Sequence, residues 1–404
     1  MPETHSLRSD LLRSFYPSLD GLRAVAILLV FWVHFGGTVW AYQVFQWGWV
    51  GVDVFFVLSG FLITGILYDS LHRSDYFRNF YIRRSLRIFP LYYAMWLFFL
   101  VLGFTPWLHM MWNRYDWSLV AYVGNLFIPG GKLGLHPDIN LLDYRRHGHT
   151  NHIIIGQLWS LCIEEQFYLI WPAIVWLVRS RRKLLWVCIV VIVADPFLRA
   201  VYLHRWPYML HAEGVYVNTF FRSDSLLFGA AVALWLRGAN PRPALLRKAA
   251  YSLVVTSMAL LATMLHLEAN RPAHITEDPV IVTIGFTLVA AASVGVLLLT
   301  LDPETIVARL FRNPLLVWVG RISYGLYIFH GPITGIVASE SSRFHRHHIA
   351  FLLPVAATIV TICLAWFSFQ VFESRFLMLK PRLAPRSGAA DDPPPNLQPQ
   401  HTEA

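Results

Sequence analysis

Stretches of apolar residues long enough to cross a lipid bilayer recur from one end of this 404-residue chain to the other. A transmembrane helix needs about 20 predominantly apolar residues, because the hydrocarbon core is about 30 Å thick. Only 14% of the residues are charged, whereas about a quarter are charged in soluble domains. The sequence therefore predicts an all-α integral membrane protein. We place ten spans at residues 22–41, 48–69, 88–105, 157–178, 184–203, 217–236, 249–267, 280–301, 315–337 and 349–370.

The distribution of Lys and Arg predicts how this bundle is oriented. With the N-terminus in the cytoplasm, the predicted inner segments hold 21 basic residues and the outer segments hold 8. This asymmetry follows the positive-inside rule and predicts that both termini are cytoplasmic. Topology thus explains the formal charge of +9, and we expect no nucleic-acid partner. We predict a multi-pass protein of the cell (inner or plasma) membrane, and the sequence predicts no oligomeric state.

The chain divides into a predicted transmembrane domain, residues 1–380, and a Pro-rich cytoplasmic tail, residues 381–404, which is predicted to be disordered. The longest outer segment, residues 106–156, is interpreted as an acceptor-binding or lid region. Within it, residues 117–128 are too few to cross and are interpreted as interfacial or re-entrant. His147, His149 and His152 of this segment have a spacing that is poor for a metal site, so we expect no metal.

Arg23 and His34 lie eleven residues apart in the first predicted span. Since an α-helix has about 3.6 residues per turn, their side chains share one face, about 16 Å apart along the axis. Ionisable residues within a span are costly and are usually retained for a function. A neutral imidazole can accept a proton from a hydroxyl, and an arginine at the inner end can bind phosphate. The alternative is a His34 that only hydrogen-bonds between helices.

Two further motifs bring charge into the spans. Arg83, Arg84 and Arg87 share one helical face at the inner end of the third span, which suits a polyanionic ligand. Positive-inside anchoring explains the same residues. Glu164 and Glu165 are adjacent acids in an apolar run, and their side chains point about 100° apart. We expect one of them to orient His34, and pairing with an intramembrane arginine is the alternative.

The other polar residues of interest are expected to form a supporting network rather than to take part directly in the chemistry. These residues are Asp53, Ser59, Arg222, Asp224, Tyr324 and His330. Arg321 and His330 lie nine residues apart in the ninth span and weakly repeat the pattern of Arg23 and His34. Arg321 is the inner residue of this second pair and is a further candidate for binding an anion.

Six blocks of sequence together resemble the acyltransferase-3 family of membrane O-acyltransferases, the O-antigen acetylase-like proteins. The blocks are LDGLR at residues 19–23 with His34, GVDVFFVLSGFLI at 51–63, RRSLRIFP at 83–90, LWSLCIEEQFY at 158–168, RSD at 222–224, and SY at 323–324 with His330. They occur in order and cover nearly the whole predicted membrane domain.

The resemblance implies a bundle of about ten helices that transfers an acyl group from cytoplasmic acyl-CoA to a hydroxyl on the extracytoplasmic side. The co-substrate is expected to be acetyl-CoA, and the acceptor a sugar of a glycan, glycolipid or glycosylated metabolite. The resemblance also implies that Arg23 and His34 are essential, and that Arg83, Arg84 and Arg87 form the family's basic motif. Some members have a C-terminal hydrolase-like domain, and the short tail here predicts a stand-alone form.

The resulting hypothesis assigns donor binding to five arginines, namely Arg23, Arg83, Arg84, Arg87 and Arg321. His34 acts as the general base, with Glu164 or Glu165 setting its tautomer. Direct transfer and a two-step route through an acyl-His34 intermediate both fit the sequence. The alternative function is a proton-coupled multispan transporter of a small anionic or sugar-like solute, because ten spans with buried charges suit that class as well.

Overall fold

A computed structural model describes residues 16–36, 46–105, 109–112, 114–126, 141–146, 149–207, 214–238, 242–267, 278–345 and 352–385. Its helices are, in chain order, α1 (Pro17–Phe31), α2 (Val50–Asp69), α3 (Tyr76–Gly103), α4 (Arg114–Val120), α5 (Trp159–Val178), α6 (Arg181–Arg205), α7 (Ser223–Leu236), α8 (Pro243–Leu267), α9 (Phe286–Leu301), α10 (Ile306–Phe311), α11 (Pro314–Arg321), α12 (Ser323–His345), α13 (Leu353–Ser368), α14 (Ser374–Leu377) and α15 (Lys380–Leu383). Single π-helical turns follow α1 (Trp32–Gly36), precede α9 (Ile281–Gly285) and follow α13 (Phe369–Glu373). Among the 3₁₀ turns, Gly156–Leu158 leads into α5 and Thr219–Phe221 precedes α7.

Within these ranges, eight helical segments are long and apolar enough to cross a membrane. They are Pro17–Phe35, Trp47–Asp69, Tyr76–Gly103, Gly156–Val178, Arg181–Arg205, Pro243–Met264, Ile281–Leu301 and Leu353–Leu383. Each overlaps one predicted span, which confirms a multi-helix membrane protein. The other two predicted spans coincide with α7, which has only 14 residues, and with the pair α11 and α12, which is interrupted at Ile322. The count of ten crossings stays a prediction.

Both ends of the described chain lie at the same end of the bundle. Tyr16, near the start, and Leu377 and Lys380, near the end, line one cavity. The predicted placement of both termini in one compartment requires an even number of crossings, and it stays a prediction. The assignment of that compartment to the cytoplasm stays a prediction from the loop charges.

Helix α6 illustrates how residues are buried in this bundle. Val190, Phe197 and Val201 are largely exposed, whereas Asp195 and Arg199 of the same helix expose 1% and 0% of their surface. A soluble protein would bury the apolar residues and expose the charges. The reverse arrangement is that of a helix whose outer face contacts lipid and whose inner face contacts other helices.

Two glycines allow the closest approach between α2 and α7. A Cβ on Gly60 would lie 1.8 Å from the Leu226 carbonyl oxygen, and a Cβ on Gly229 would lie 1.9 Å from the Val57 carbonyl oxygen. Small residues let helix backbones approach in a membrane, where close packing rather than the hydrophobic effect drives association. The crossing brings the outer half of α2 beside the start of α7, where charged residues of both helices meet.

The predicted outer segment contains three short strands, β1 (His109–Met111), β2 (Leu141–Arg146) and β3 (His149–Ile154). They form one antiparallel sheet in the order β1-β2-β3. The all-α prediction omits this sheet, because strands this short carry little periodic signal. Only two residues, one of them Gly148, separate β2 from β3, and this spacing is typical of a hairpin.

Helix α4 belongs to the segment that was excluded from the predicted spans. It has seven residues, and a 3₁₀ turn at Gly124–Leu126 follows it. A helix of this length cannot cross a bilayer, so the exclusion of this segment as a span is confirmed for the residues that the structure describes.

The described residues include the first five of the predicted tail, residues 381–385. Helix α15 ends at Leu383. The Arg83 guanidinium donates to the Ala384 carbonyl oxygen at 2.8 Å, and the Asn79 amide donates to the Pro385 carbonyl oxygen at 3.2 Å. Residues 386–404 lie outside the described residues, and the domain boundary at residue 381 stays a prediction.

Candidate active site

A cavity of ≈ 480 Å³ with a basic lining lies at the end of the bundle where both chain ends meet. We call it the basic cavity. Its charged lining consists of six basic and two acidic side chains, namely Arg23, Arg83, Arg84, Arg87, Arg321 and Lys380, with Asp20 and Glu373. The structure therefore brings together all five arginines that were predicted to bind the donor, and the lining has a formal excess of four positive charges.

In the described part of the chain, Arg84 and Arg87 form no ion pair within 4 Å, although both interact electrostatically with Glu164 over a longer distance. Arg23 forms an ion pair with Asp20 at 2.8 Å. Arg84 instead lies over the ring of Tyr168, 5.5 Å from its centroid. Among the described residues, no carboxylate oxygen lies within 4 Å of Arg84 or Arg87. Partly buried cations are costly unless an anion neutralises them, so this lining suits an anionic ligand.

Close packing of three helices positions the arginines. The Tyr324 hydroxyl of α12 donates to the Ile88 carbonyl oxygen of α3 at 2.7 Å, next in sequence to Arg87. A Cβ on Gly320 of α11 would lie 1.8 Å from the Asp20 carbonyl oxygen, so glycine allows α11 to pack directly on the start of α1. These contacts hold the basic ends of α1, α3 and α11 around one space.

A smaller cavity of ≈ 100 Å³, which we call the inner cavity, lies deeper in the bundle. Five residues line both cavities, namely Arg23, Leu62, Arg84, Arg87 and Tyr324. The rest of the inner lining includes aromatic rings, hydroxyl groups and one carboxylate, contributed by Phe55, Phe56, Ser59, Ser160, Tyr168, Ser323, Tyr327 and Glu164. The two cavities are therefore adjacent, with three arginines between them.

A polar stripe on α5 faces the inner cavity. Gln157, Ser160, Glu164 and Tyr168 are separated by three, four and four residues, so they share one helical face. The last three of them line the inner cavity, whereas Glu165 is absent from the described lining of either cavity. The structure therefore distinguishes the two adjacent acids by their position.

Hydroxyl groups along the inner cavity bond to one another. The hydroxyls of Ser59 and Tyr168 lie 2.5 Å apart. The Tyr327 hydroxyl bonds with the Ser160 hydroxyl and donates to the Gln157 carbonyl oxygen at 2.7 Å. The predicted set of site residues omits all of these except Ser59. The spacing of the stripe on α5 is the sequence signal that identifies Ser160 and Tyr168.

His34 lies on the π-helical turn that follows α1. The predicted alignment of Arg23 with His34 assumes an α-helix throughout, but the helix widens after Phe31. A π turn has more residues per turn, so it changes the direction of the His34 side chain relative to that prediction. Arg23 lines both cavities, whereas the described lining of neither cavity includes His34.

A backbone carbonyl fixes the His34 ring. Nδ1 of His34 lies 2.8 Å from the Val30 carbonyl oxygen. A carbonyl only accepts hydrogen bonds, so Nδ1 carries the hydrogen in the neutral ring and Nε2 offers a lone pair. This is the tautomer that a general base needs. The Val30 carbonyl thus sets the tautomer of His34, which is the role predicted for Glu164 or Glu165. In the described chain, neither glutamate hydrogen-bonds to His34.

His330 of α12 packs against His34. The two ring centroids lie 4.9 Å apart with an interplanar angle of 74°. His330 is fully buried, and its Nδ1 lies 2.7 Å from the Tyr327 carbonyl oxygen. Of the residues predicted to support the site, His330 is thus the one that contacts His34, while Ser59 and Tyr324 line the inner cavity.

The remaining supporting residues form a separate buried network. Arg222 donates to both carboxylate oxygens of Asp53 at 2.8 Å, and Arg199 donates to Asp224 at 2.8 Å. The Ser225 hydroxyl also donates to Asp53 at 2.8 Å. The four charged side chains are fully buried, and each has a counter-charge. We call these four the buried network. The predicted supporting set does not include Arg199, although the sequence places this arginine within a predicted span.

No metal centre is evident in the described ranges, where no group of three or more His, Cys, Asp or Glu side chains could hold a metal ion. His149 and His152 of the outer segment lie on β3, and His147 lies outside the described residues.

The comparison with known families gives a match over most of the chain. The family profile described as an acyltransferase domain matches residues 16–369. The chain belongs to the acyltransferase-3 family. The matched range contains all six blocks on which the resemblance rests, so that resemblance is confirmed.

Two relatives illustrate the family. The peptidoglycan O-acetyltransferase OatA of Listeria monocytogenes is 29% identical over 375 residues, which are 90% of this chain and 56% of OatA. A Bacillus subtilis protein named "Putative peptidoglycan O-acetyltransferase YrhL" is 29% identical over 382 residues, which are 89% of this chain and 54% of that protein. This acyltransferase-3 chain thus spans about half the length of these curated relatives. No solved structure matches it.

Proposed function

We propose that this protein is a membrane O-acyltransferase that moves an acyl group, most simply acetyl, from cytoplasmic acyl-CoA to a sugar hydroxyl on the extracytoplasmic side. The basic cavity carries the proposal, because the guanidinium groups of Arg84 and Arg87 face it without a described carboxylate within 4 Å. Acyl-CoA has a diphosphate and a 3′-phosphate, which guanidinium groups bind through charge-assisted hydrogen bonds.

The inner cavity supports a path for the thioester end of the donor. It adjoins the basic cavity at Arg84 and Arg87, and the hydroxyls of Ser59 and Ser160 and the carboxylate of Glu164 line it. These groups can hydrogen-bond the amides of a pantetheine arm. An arm whose phosphates are held at the arginines would then extend toward the outer half of the bundle, where His34 lies.

The proposed chemistry uses the lone pair on Nε2 of His34. The acceptor hydroxyl attacks the thioester carbonyl carbon while Nε2 takes its proton. The carbon–sulfur bond then breaks, and the CoA thiolate recovers the proton from the imidazolium. The products are an acyl ester and free CoA. In a two-step route, the Nε2 lone pair first attacks the thioester carbon and the CoA thiolate leaves. The acceptor hydroxyl then attacks the acyl group, the bond to Nε2 breaks, and the hydroxyl proton ends on the CoA thiolate.

The names of the relatives support a peptidoglycan sugar as the acceptor, because both are named for peptidoglycan O-acetylation. Family membership favours an acyltransferase over the proton-coupled transporter. The two functions differ in their product, since a transporter moves an unmodified solute and forms no ester.

The test measures ester formation by the purified full-length chain in detergent, so that both faces are accessible. It is incubated with radiolabelled acetyl-CoA and an N-acetylglucosamine tetrasaccharide as a peptidoglycan-like acceptor. We expect alkali-labile label on the sugar. We expect His34→Ala to lower the rate by about 10²- to 10⁴-fold, because the general base is lost.

The control variant is His72→Ala, which removes an exposed histidine from the connection between α2 and α3 and should retain wild-type activity. Size-exclusion chromatography checks that both variants are folded. Failure of the wild type to acylate the sugar would contradict the proposed function. Full activity of His34→Ala would contradict the role of His34.

A further inference from the structure

Three buried polar atoms near His34 have no hydrogen-bond partner in the protein. They are Nε2 of His330 and both carboxamide heteroatoms of Gln157, Oε1 and Nε2. His330 exposes 0% of its surface and Gln157 exposes 6%. Buried polar groups are almost always hydrogen-bonded, because leaving them unpaired costs free energy. Two such side chains together therefore point to a ligand.

The two side chains meet the same turn of α12, since His330 belongs to this turn and Gln157 packs against it. The His330 ring packs against the His34 ring, with 4.9 Å between their centroids. Gly331 follows His330, and a Cβ on Gly331 would lie 2.1 Å from each of the three carboxamide atoms of Gln157. The carboxamide therefore lies directly against the backbone of this turn, which only glycine allows. We call His330 and Gln157 the polar pair.

The polar pair offers a defined set of donors and acceptors. Nδ1 of His330 donates to the Tyr327 carbonyl oxygen, which leaves Nε2 of the neutral ring as an acceptor. The Gln157 carboxamide offers one acceptor oxygen and an NH₂ donor group. A hydroxyl donates one hydrogen bond and accepts up to two, so the donors and acceptors of this pair are chemically complementary to hydroxyl groups.

Tyr327 connects the polar pair to the inner cavity. Its ring lines that cavity, and its centroid lies 5.2 Å from the His330 ring. Its hydroxyl donates to the backbone carbonyl of Gln157. Tyr327 therefore lies between the polar pair and the inner cavity, whose described lining includes neither member of the pair, and His330 also contacts His34.

We propose that His330 and Gln157 form a second hydroxyl subsite, which binds a hydroxyl of the acceptor near the one that His34 deprotonates. This inference rests on the proposed function. It assigns the acceptor to a class, namely molecules with neighbouring hydroxyls such as sugars, and it disfavours simple monohydric alcohols. The polar pair acts as a set of positioning residues, because binding two points of the sugar orients the reacting hydroxyl toward His34.

Three variants test which atoms of the polar pair are needed for binding. His330→Asn keeps an amide nitrogen near the position of Nδ1, which can still donate to the Tyr327 carbonyl oxygen, but it removes Nε2. His330→Gln places its amide near the position of Nε2 instead. Gln157→Met keeps the length of the side chain and removes both heteroatoms.

The experiment measures acetyl transfer to N-acetylglucosamine and to each of its monodeoxy analogues. In the wild type, we expect one analogue to be inert, because it lacks the reacting hydroxyl, and another to have a raised KM, because it lacks the hydroxyl that the subsite binds. We expect Gln157→Met and His330→Asn to raise the KM of the parent sugar about three- to tenfold, as the loss of one hydrogen bond implies. In these variants the second analogue and the parent should have equal KM values, and His330→Gln should lie closer to the wild type.

The matched control is Gln166→Met. Gln166 lies on α5, which the 3₁₀ turn of Gln157 precedes, but its amide donates to the Tyr122 carbonyl oxygen and to Asn125 at 2.8 Å each. Its loss should lower the thermal unfolding midpoint, whereas Gln157→Met should not, because Gln157 has no side-chain partner to leave unpaired. A lower midpoint for Gln157→Met with unchanged KM values would overturn the proposal and indicate a structural role.

The outcomes distinguish this inference from the proposed function. If the wild type forms no ester with any sugar, the proposed function fails and the inference falls with it. If the wild type is active and both Gln157→Met and His330→Asn keep its KM and its discrimination among the analogues, the inference alone is wrong.

Discussion

The buried network and the basic cavity both hold arginines within the membrane domain, but they differ in whether these arginines form ion pairs with carboxylates. In the buried network, Arg222 donates to both oxygens of Asp53, and Arg199 pairs with Asp224. In the basic cavity, Arg84 and Arg87 have no described carboxylate within 4 Å. The first region neutralises its own charge, and under the proposed function the second presents its charge to a ligand.

This difference shows how charges within spans can be sorted by function. Any ionisable residue in a span is costly, so composition alone makes both regions candidates for function. Pairing separates them, because an ion pair between two helices can be explained by packing alone, whereas an excess of cations around a cavity suits an anionic ligand. The predictions below test this distinction, beginning with the largest expected effect.

Arg222→Met should be the most damaging single change to stability. It leaves the Asp53 carboxylate buried without its counter-charge, which lowers the free energy of unfolding by about 3–5 kcal/mol. Thermal unfolding of the purified protein in detergent measures the effect. The double variant Asp53→Leu with Arg222→Met should recover part of the loss, since it removes both charges. A single variant as stable as the wild type would contradict a structural role for this pair.

Arg87→Met should impair the binding of acetyl-CoA without lowering the stability of the protein. It removes a cation that lies near Arg23 and Arg84. It breaks no described ion pair within 4 Å, although Asp20, Glu164 and Glu373 interact with Arg87 over a longer distance. We expect the unfolding midpoint to stay the same or to rise, and the KM for acetyl-CoA to rise about tenfold or more, because a charged hydrogen bond contributes about 1.5–3 kcal/mol. Arg87→Lys is the matched control and should lie between the two. A lower unfolding midpoint with an unchanged KM would show that Arg87 is only an anchor.

Raising the salt concentration should affect the basic cavity but not the buried network, and this effect should be smaller than those of the substitutions. Raising the ionic strength from about 0.05 M to about 0.5 M shortens the Debye length and weakens the attraction between a polyanion and the basic cavity. We expect the KM for acetyl-CoA to rise roughly two- to fivefold. The unfolding midpoint should change little, because the buried network is shielded from ions. A KM that does not depend on salt would argue against phosphate binding in the basic cavity.

The long helices could be predicted from the sequence, but the positions at which some predicted spans are interrupted could not. Apolar length located the eight long segments. The span predicted at residues 315–337 is broken at Ile322, and the one predicted at 217–236 becomes helix α7 only at Ser223, because Asn218 caps a 3₁₀ turn before it. Hydropathy carries no information on such local hydrogen bonds, so these features required the three-dimensional structure.

The site could be predicted in part. The five arginines were placed at one end because basic residues collect on one side of a membrane, and they line one cavity. The choice between Glu164 and Glu165 could not be made, since it depends on which face of α5 packs inward. Gln157 was missed, because a single amide at the start of a span is ordinary until its lack of partners is visible.

The basic cavity is built from the first and the last helices of the domain. Arg23 comes from α1, while Glu373 and Lys380 lie near the last described residue, Pro385. The ribosome makes Arg23 well before Glu373 and Lys380. The basic cavity is therefore complete only once the helix that carries Glu373 has been inserted, and a chain that stops short of residue 373 would lack one wall of it. Under the proposed function, such a truncated chain would not hold acyl-CoA as the longer chain does.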